Sequence, residues 1–154
     1  GCDLVVATPE STFSQIFAKR GLSLDLGGSW LLPKIVGLQQ AKRLTLLAET
    51  IDADEAQALN LVTWVVSAAE IDNFVTEVAD RLVAGPAIAL AQSKALLNEG
   101  ADRTLRDALA NEARAQVVNF ATADAREAYA AFAERREPSF TGRWAVSRSE
   151  QTHA

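Results

Sequence analysis

The spacing of apolar residues divides the chain into a first part with short elements of both kinds and a second part that is helical. In the second part, apolar residues recur three and four positions apart, which places them on one face of an α-helix. This spacing predicts four helices, over residues 71–83, 88–97, 105–120 and 123–135. Glycine or proline follows the first two, at 85–86 and at Gly100, as expected where helices end.

Two runs of apolar and β-branched residues in the first part predict strands over 4–7 and 61–66. Turn-forming residues at 8–11 follow the first run. The apolar residues at 13–17 fit either the end of a strand or a turn of helix. About two strands are predicted in all, too few for an independent sheet with one covered face.

The first part also predicts helices, over 31–36 and 39–49, with Gly37 breaking the pattern between them. Asp52 lies three residues before Glu55, a spacing that resembles a capping box and predicts the start of a short helix. The first part therefore alternates short strands with helices. No internal repeat and no linker separates it from the second part.

The composition indicates one ordinary domain. The 154 residues are 49% hydrophobic and 23% charged, which is enough apolar material for a core. A net charge of -5, without a basic stripe of interleaved aromatic residues, argues against a nucleic-acid partner. No apolar run reaches the roughly 20 residues that span a bilayer, and no signal peptide is recognised. We therefore expect no membrane span and a cytoplasmic location.

Neither the single cysteine nor the single histidine is expected to take part in chemistry. One cysteine, Cys2, excludes an internal disulfide and favours a reducing compartment. A cysteine nucleophile usually needs a histidine to activate its thiol. The single histidine, His153, lies in a polar tail over 145–154 that we expect to be loose. No cluster of residues suggests a metal site.

The strongest candidate for chemistry is Asp25, the one carboxylate of segment 18–37, close before the pair Gly27-Gly28 that opens a helix. Glycine lets a ligand approach the backbone closely, and a helix start offers unpaired N–H groups and the positive end of the dipole. A carboxylate here can serve as a general base. The alternative is N-terminal capping of the helix, the commoner use of aspartate at such a place.

Several motifs occur in an order that resembles the enoyl-CoA hydratase/isomerase (crotonase) family. They are CDLVVA at 2–7, STF at 11–13, GLSLDLGGSWLLP at 21–33, ADEA at 53–56, LNLV at 59–62, and TAD to PSF at 122–140. Together they cover residues 2 to about 144, nearly the whole chain. Several ordered motifs are more specific than any one of them.

The resemblance implies an α/β fold of the ClpP/crotonase-like class, in which ββα units form a spiral and a helical region follows. Residues 1–144 are similar to the end of the spiral and to the mostly helical C-terminal region that makes trimer contacts in the family. We therefore expect a homo-oligomer, either a trimer or a dimer of trimers. The N-terminal half of the family's subunit is expected to be absent from this chain.

The resemblance also implies that the partner is an acyl-CoA thioester, so coenzyme A belongs to the substrate and no separate cofactor is expected. In the family, two backbone N–H groups form an oxyanion hole that stabilises an enolate. The resemblance places both, and the first hydratase acid, before the start of this chain. The second hydratase glutamate falls at Phe17, whose ring cannot move a proton. Asp25 falls where some isomerases of the family carry their catalytic aspartate.

Isomerisation of an enoyl-CoA, with Asp25 as the general acid and base, is therefore the favoured function. Hydration of a 2-enoyl-CoA in fatty-acid oxidation is the first alternative. The second alternative is an inactive fragment that serves only in association.

Seven further residues are candidates for substrate binding. If Asp25 is the base, the residues expected at the acyl group are Phe17, Leu22, Leu24, Trp30 and Leu31. The resemblance places Phe132 and Arg135 on the last helix, near the CoA nucleotide. The alternative for the leucines and Trp30 is plain core. The alternative for Arg135 is capping of the helix C-terminus against its dipole.

Overall fold

The computed structural model describes residues 2–145 and divides the chain into two compact units, Gly1–Glu77 and Val78–Ala154. The elements in chain order are β1 (Val6–Ala7), β2 (Thr12–Ser14), a 3-10 helix (Ile16–Arg20), α1 (Gly28–Leu47), β3 (Thr50–Asp52), α2 (Ala53–Ala58), β4 (Trp64–Val65), α3 (Ile71–Val83), α4 (Ala87–Gly100), α5 (Leu105–Phe120) and α6 (Ala123–Glu134). The assignment of residues 1–144 to one domain stays a prediction.

The strands of the first unit form two short pairs. β1 runs parallel to β4, with Val6 opposite Trp64. β2 runs antiparallel to β3, with Phe13 opposite Ile51. The backbone extends the parallel pair slightly, because the N–H of Thr63 donates to the carbonyl of Val5 at 2.8 Å.

The sequence predicts two of these strands, and both are shorter than predicted. The run at 4–7 shortens to β1 and the run at 61–66 to β4. The expectation of about two strands is wrong, because residues 2–145 contain four. β3 has a single apolar residue, Ile51, so its alternation is too short to be recognised. Segment 13–17 contains both of its predicted alternatives, the end of a strand and a turn of helix.

The core of the first unit gathers around one face of α1. Its buried apolar residues are Ala7, Leu32, Ala41, Leu44, Ile51, Ala53, Ala56 and Val62. Three of them, Leu32, Ala41 and Leu44, lie on α1. Many of the buried side chains are small, so α1, α2 and the strands approach one another closely.

α1 is kinked at Gly37, whose φ of 76° and ψ of 157° lie outside the helical range. This conformation is open essentially to glycine alone. Gly37 therefore permits the kink, which lies where the sequence predicts a break between two helices. The second half ends at Leu47, before the predicted residue 49, because Ala48 takes a left-handed conformation with φ of 47°.

Polar contacts join α1 to the start of α2. The backbone N–H of Glu55 donates to Oδ1 of Asp52 at 2.8 Å, which confirms the predicted helix start. The Glu55 carboxylate accepts a hydrogen bond from Arg43 on α1, whose Nη1 also donates to Oε2 of Glu49 at 2.8 Å. The hydrogen bond that Arg43 donates to Glu55, and then the negative charges of Glu55 and Glu49, raise the pKa of the Arg43 guanidinium above its ordinary value.

The helices of the second half follow the apolar spacing closely. The predicted bounds 71–83 and 105–120 are confirmed by α3 and α5. Threonine caps the start of α5 and of α6, where Oγ1 of Thr104 and of Thr122 accepts a backbone N–H at 3.2 and 3.1 Å. α6 ends one residue earlier than predicted, because Arg135 takes a left-handed conformation with φ of 55°.

The two ends of the chain are described to residues 2 and 145. Cys2 is exposed. His153 and the predicted loose tail lie outside the described residues, except for Ala145, whose N–H donates to the carbonyl of Ala121 at 2.9 Å. In the stretch from 2 to 145, none of the helices is both long and apolar enough to cross a membrane.

Candidate functional site

A left-handed turn presents Asp25 just before α1. The N–H of Gly28 donates to the carbonyl of Asp25 at 2.8 Å, which closes a four-residue turn. Both central residues have positive φ, 50° at Leu26 and 76° at Gly27, as a type I′ turn requires. The carbonyl of Gly27 then accepts the N–H of Leu31 at 2.9 Å and begins the helix. The turn therefore fixes the backbone of Asp25 against a helix start.

The carboxylate of Asp25 does not cap that helix. The N-cap is Gly27, which has no side chain to accept a hydrogen bond. Asp25 itself is exposed, and among residues 2–145 no hydrogen bond or ion pair occupies its carboxylate. The capping alternative is therefore wrong, and both carboxylate oxygens are available to a ligand.

The residues predicted at the acyl group lie outside the buried core. Leu22 is 63% exposed and Trp30 is 56% exposed, so the core alternative is wrong for these two. Phe17, Leu24 and Leu31 are half-buried, and for them both interpretations stay open.

Two contacts explain how these side chains sit around the turn. A Cβ at position 28 would lie 3.4 Å from Cδ2 of Leu24, so Gly28 leaves Leu24 room to pack over the helix start. Nζ of Lys34 lies 3.6 Å from the ring centroid of Trp30, a cation–π contact that covers one face of the indole. The other parts of the exposed indole remain accessible.

Phe132 and Arg135 lie at the end of α6, in the second unit, and both are exposed. Phe132 is 85% exposed. The backbone of Arg135 forms the helix C-cap, with its N–H donating to the carbonyl of Phe132 at 3.3 Å. Backbone capping leaves the guanidinium of Arg135 in solvent, where a phosphate could bind it bidentately.

A charged cluster holds the chain that follows α6. Arg136 donates to both carboxylate oxygens of Glu127, at 2.5 and 3.0 Å, and to Oε2 of Glu134 at 2.6 Å. The N–H of Ser139 donates to the same Glu127 at 2.9 Å. These contacts, with the hydrogen bond from Arg136 the largest cause, lower the pKa of Glu127 from 4.5 to about 2 and raise the pKa of Arg136.

Asp124 forms a second and more deeply buried anchor for the same segment. It is 3% exposed, and its Oδ1 accepts from the N–H of Thr141 at 2.7 Å and its Oδ2 from the N–H of Gly142 at 2.9 Å. The hydroxyl of Thr141 adds a contact at 3.3 Å. In the sequence, Asp124 stands out only as part of the TAD motif at 122–124. Partners 17 and 18 residues away leave no periodic signal that would reveal this role.

The Glu127 cluster predicts an acid-sensitive contribution to stability. A carboxylate with a lowered pKa stabilises the folded state above its unfolded pKa, and the contribution is lost as the pH falls through the folded value. We expect the urea midpoint to fall between about pH 5 and pH 2, and to fall less steeply in Glu127→Gln. The matched control, Glu77→Gln on an exposed face of α3, is expected to follow the wild type. Equal pH profiles for the two variants would contradict the assignment.

The described residues offer no metal centre. Between residues 2 and 145, no group of three or more histidine, cysteine, aspartate or glutamate side chains is arranged to hold a metal ion.

Comparison with known proteins gives one consistent family. A sequence profile described as enoyl-CoA hydratase/isomerase matches residues 1–143. The chain is 38% identical over 141 residues to a protein of Rhodobacter capsulatus named probable enoyl-CoA hydratase, covering 92% of the chain and 55% of that protein. It is 33% identical over 143 residues to the 1,2-epoxyphenylacetyl-CoA isomerase of Escherichia coli, covering 93% and 55%.

The structural comparison agrees. The crystal structure of an enoyl-CoA hydratase/isomerase from Cupriavidus metallidurans matches with a TM-score of 0.86 and 36% identity, covering 95% of this chain and 55% of that one. The chain spans about half the length of the curated relatives that it matches.

Proposed function

Since the chain belongs to the enoyl-CoA hydratase/isomerase family and has its crotonase fold, we propose that it serves enoyl-CoA isomerisation. In this proposal Asp25 is the group that moves the proton. The activity is that of the whole protein, of which the chain corresponds to about half in the relatives. The relatives mostly carry hydratase names, and one carries an isomerase name.

The observation that carries the proposal is the free carboxylate of Asp25 on a fixed turn, together with a phenylalanine at position 17. Asp25 is exposed, has no capping role, and belongs to a segment with the exposed apolar residues Leu22 and Trp30, which suit an acyl group. Phe17 is half-buried in the 3-10 helix, at the position where the resemblance expects the second hydratase glutamate. A phenyl ring can neither activate water nor deliver a proton, which favours a reaction with one carboxylate.

The proposed reaction moves one proton and one double bond. The carboxylate of Asp25 takes a proton from the α carbon of a 3-enoyl-CoA, and the electron pair of that bond spreads onto the thioester oxygen as a dienolate. The double bond forms between the α and β carbons, and Asp25 returns the proton to the γ carbon. Nothing is consumed, so no cofactor is needed besides the coenzyme A of the substrate.

The dienolate requires hydrogen-bond donors at the thioester oxygen. The resemblance places these donors in family segments that the present chain does not match, and we assign no residue of this chain to them. The CoA nucleotide is proposed to lie near Phe132 and Arg135, because one offers an exposed ring and the other an exposed guanidinium.

Hydration of a 2-enoyl-CoA is the second candidate, favoured by the names of most of the relatives. A role in association alone is the third. A trimeric or doubly trimeric assembly and a cytoplasmic location also belong to the proposal. Exposed apolar residues of the second unit, among them the stacked pair Phe120 and Tyr129, are suited to contacts between subunits.

Product analysis of the protein at its natural length tests the proposal. With a 3-enoyl-CoA as substrate, we expect the 2-enoyl-CoA as the main product. With a 2-enoyl-CoA, we expect hydration to be much slower than isomerisation, because Phe17 replaces an acid. Efficient formation of the 3-hydroxyacyl-CoA without isomerisation would favour the hydratase. Absence of both reactions would favour association alone.

A further inference from the structure

Leu26 has a backbone conformation that its residue type does not favour. In the described part of the chain, four residues other than glycine have positive φ: Leu26, Ala48, Asn60 and Arg135. Ala48 and Arg135 are helix C-caps, where a left-handed residue is common. Asparagine tolerates this conformation better than other side chains. Among residues 2–145, Leu26 alone has positive φ with neither explanation.

Burial does not explain Leu26 either. Its exposed fraction is 99%, the highest among the exposed large apolar residues of the described chain. The central positions of a type I′ turn favour glycine, asparagine and aspartate. A leucine there loses backbone stability and gains no packing within residues 2–145. We therefore look for the role of the Leu26 side chain in a contact with a bound ligand.

The position of Leu26 in the chain indicates that use. It follows Asp25 directly, within the turn that the Gly28 N–H closes at 2.8 Å. A substrate carbon that gives its proton to Asp25 must lie within hydrogen-bond distance of that carboxylate. The carbons on either side of it then lie within reach of the neighbouring side chain.

We propose that Leu26 contacts the acyl group of the bound thioester and sets the preference for acyl length or bulk. This inference rests on the proposed function, because it takes an acyl-CoA as the ligand of the Asp25 turn. Leu22 and Trp30 in the same segment are also exposed apolar residues. Leucine is thus unfavourable for the turn itself, but it provides an apolar contact with the substrate.

Replacement of Leu26 by asparagine separates substrate contact from fold. Leu26→Asn keeps a residue that suits the turn and removes the apolar side chain, so we expect an equal or higher Tm. We expect the affinity for octanoyl-CoA to fall about tenfold, while the affinity for free coenzyme A is unchanged. Calorimetry on the protein at its natural length measures both. Leu26→Gly, which also suits the turn, is expected to give the same result.

Two outcomes overturn the inference. One is an unchanged ratio of the octanoyl-CoA and coenzyme A affinities in both Leu26 variants. The other is an equal change in Leu46→Asn, the matched control at an exposed leucine of α1. Saturated acyl-CoA needs no proton transfer, so these outcomes leave the role of Asp25 unaffected. If the wild-type protein binds no acyl-CoA, the proposed function fails together with the inference.

Discussion

Asp25→Asn is expected to lower the rate of double-bond migration by about 10²- to 10⁴-fold, the usual contribution of a positioned acid and base. The amide has nearly the shape of the carboxylate but cannot take the α proton. The side chain caps no helix and is exposed, so the substitution leaves the fold unchanged. The affinity for a saturated acyl-CoA is also expected to stay the same. Steady-state kinetics with a 3-enoyl-CoA and calorimetry with butyryl-CoA measure the two quantities.

Asp80→Asn is the matched control for this experiment, because it makes the same change at an exposed aspartate of α3. It is expected to keep the wild-type rate. An Asp25→Asn variant that isomerises at the wild-type rate would remove Asp25 from the reaction. A variant that loses butyryl-CoA affinity in proportion to its rate would show a role in binding rather than in proton transfer.

Asp124→Ala is expected to destabilise the fold by about 3 kcal/mol, the largest effect on stability that we predict. The substitution removes an acceptor for two backbone N–H groups, at Thr141 and Gly142, in a place that is closed to water. Buried donors without a partner cost free energy beyond the lost hydrogen bonds. Urea unfolding followed by circular dichroism measures the change. Hydrogen exchange of the two amides, which should lose protection, locates it.

Asp80→Ala serves as the control for stability and is expected to change it by less than about 0.5 kcal/mol, as surface substitutions usually do. Asp124→Asn keeps one acceptor oxygen and should lie between the alanine variant and the wild type. If Asp124→Ala were as stable as the control, the segment after α6 would be held by other contacts, of which the Glu127 cluster is the first candidate.

Much of the helical part of the fold can be predicted from the sequence. The bounds of α3 and α5 follow directly from apolar residues at helical spacing. The kink at Gly37 is also visible, because glycine interrupts that spacing. The identification of the family from ordered motifs is confirmed by the profile match over residues 1–143.

The strands could not be predicted as well, for a physical reason. β1 and β4 contain two residues each, and β3 contains three, so their alternation is shorter than the pattern that identifies a strand. Pairing between residues such as Phe13 and Ile51 is set by the tertiary fold.

The candidate site, like the fold, could be predicted from the sequence only in part. The turn at Asp25 could be recognised from the Gly-Gly pair, but no sequence pattern indicates that Gly27 is the cap or that Leu26 has positive φ. The anchors at Asp124 and Glu127 depend on partners 9 to 18 residues away. Such contacts form only when the chain has folded, so no local sequence pattern predicts them.

Proton exchange in D2O tests the central claim most directly, because carbon-bound deuterium appears only after the α proton has been removed. The Asp25 carboxyl is exposed, so in D2O the proton that it takes from the α carbon exchanges for deuterium before it is delivered. Wild-type protein at its natural length, incubated with a 3-enoyl-CoA, is therefore expected to incorporate deuterium at the α or γ carbon as the double bond moves. Asp25→Asn is expected to show no incorporation above buffer, as followed by proton NMR. Incorporation by Asp25→Asn at the wild-type rate would contradict the account.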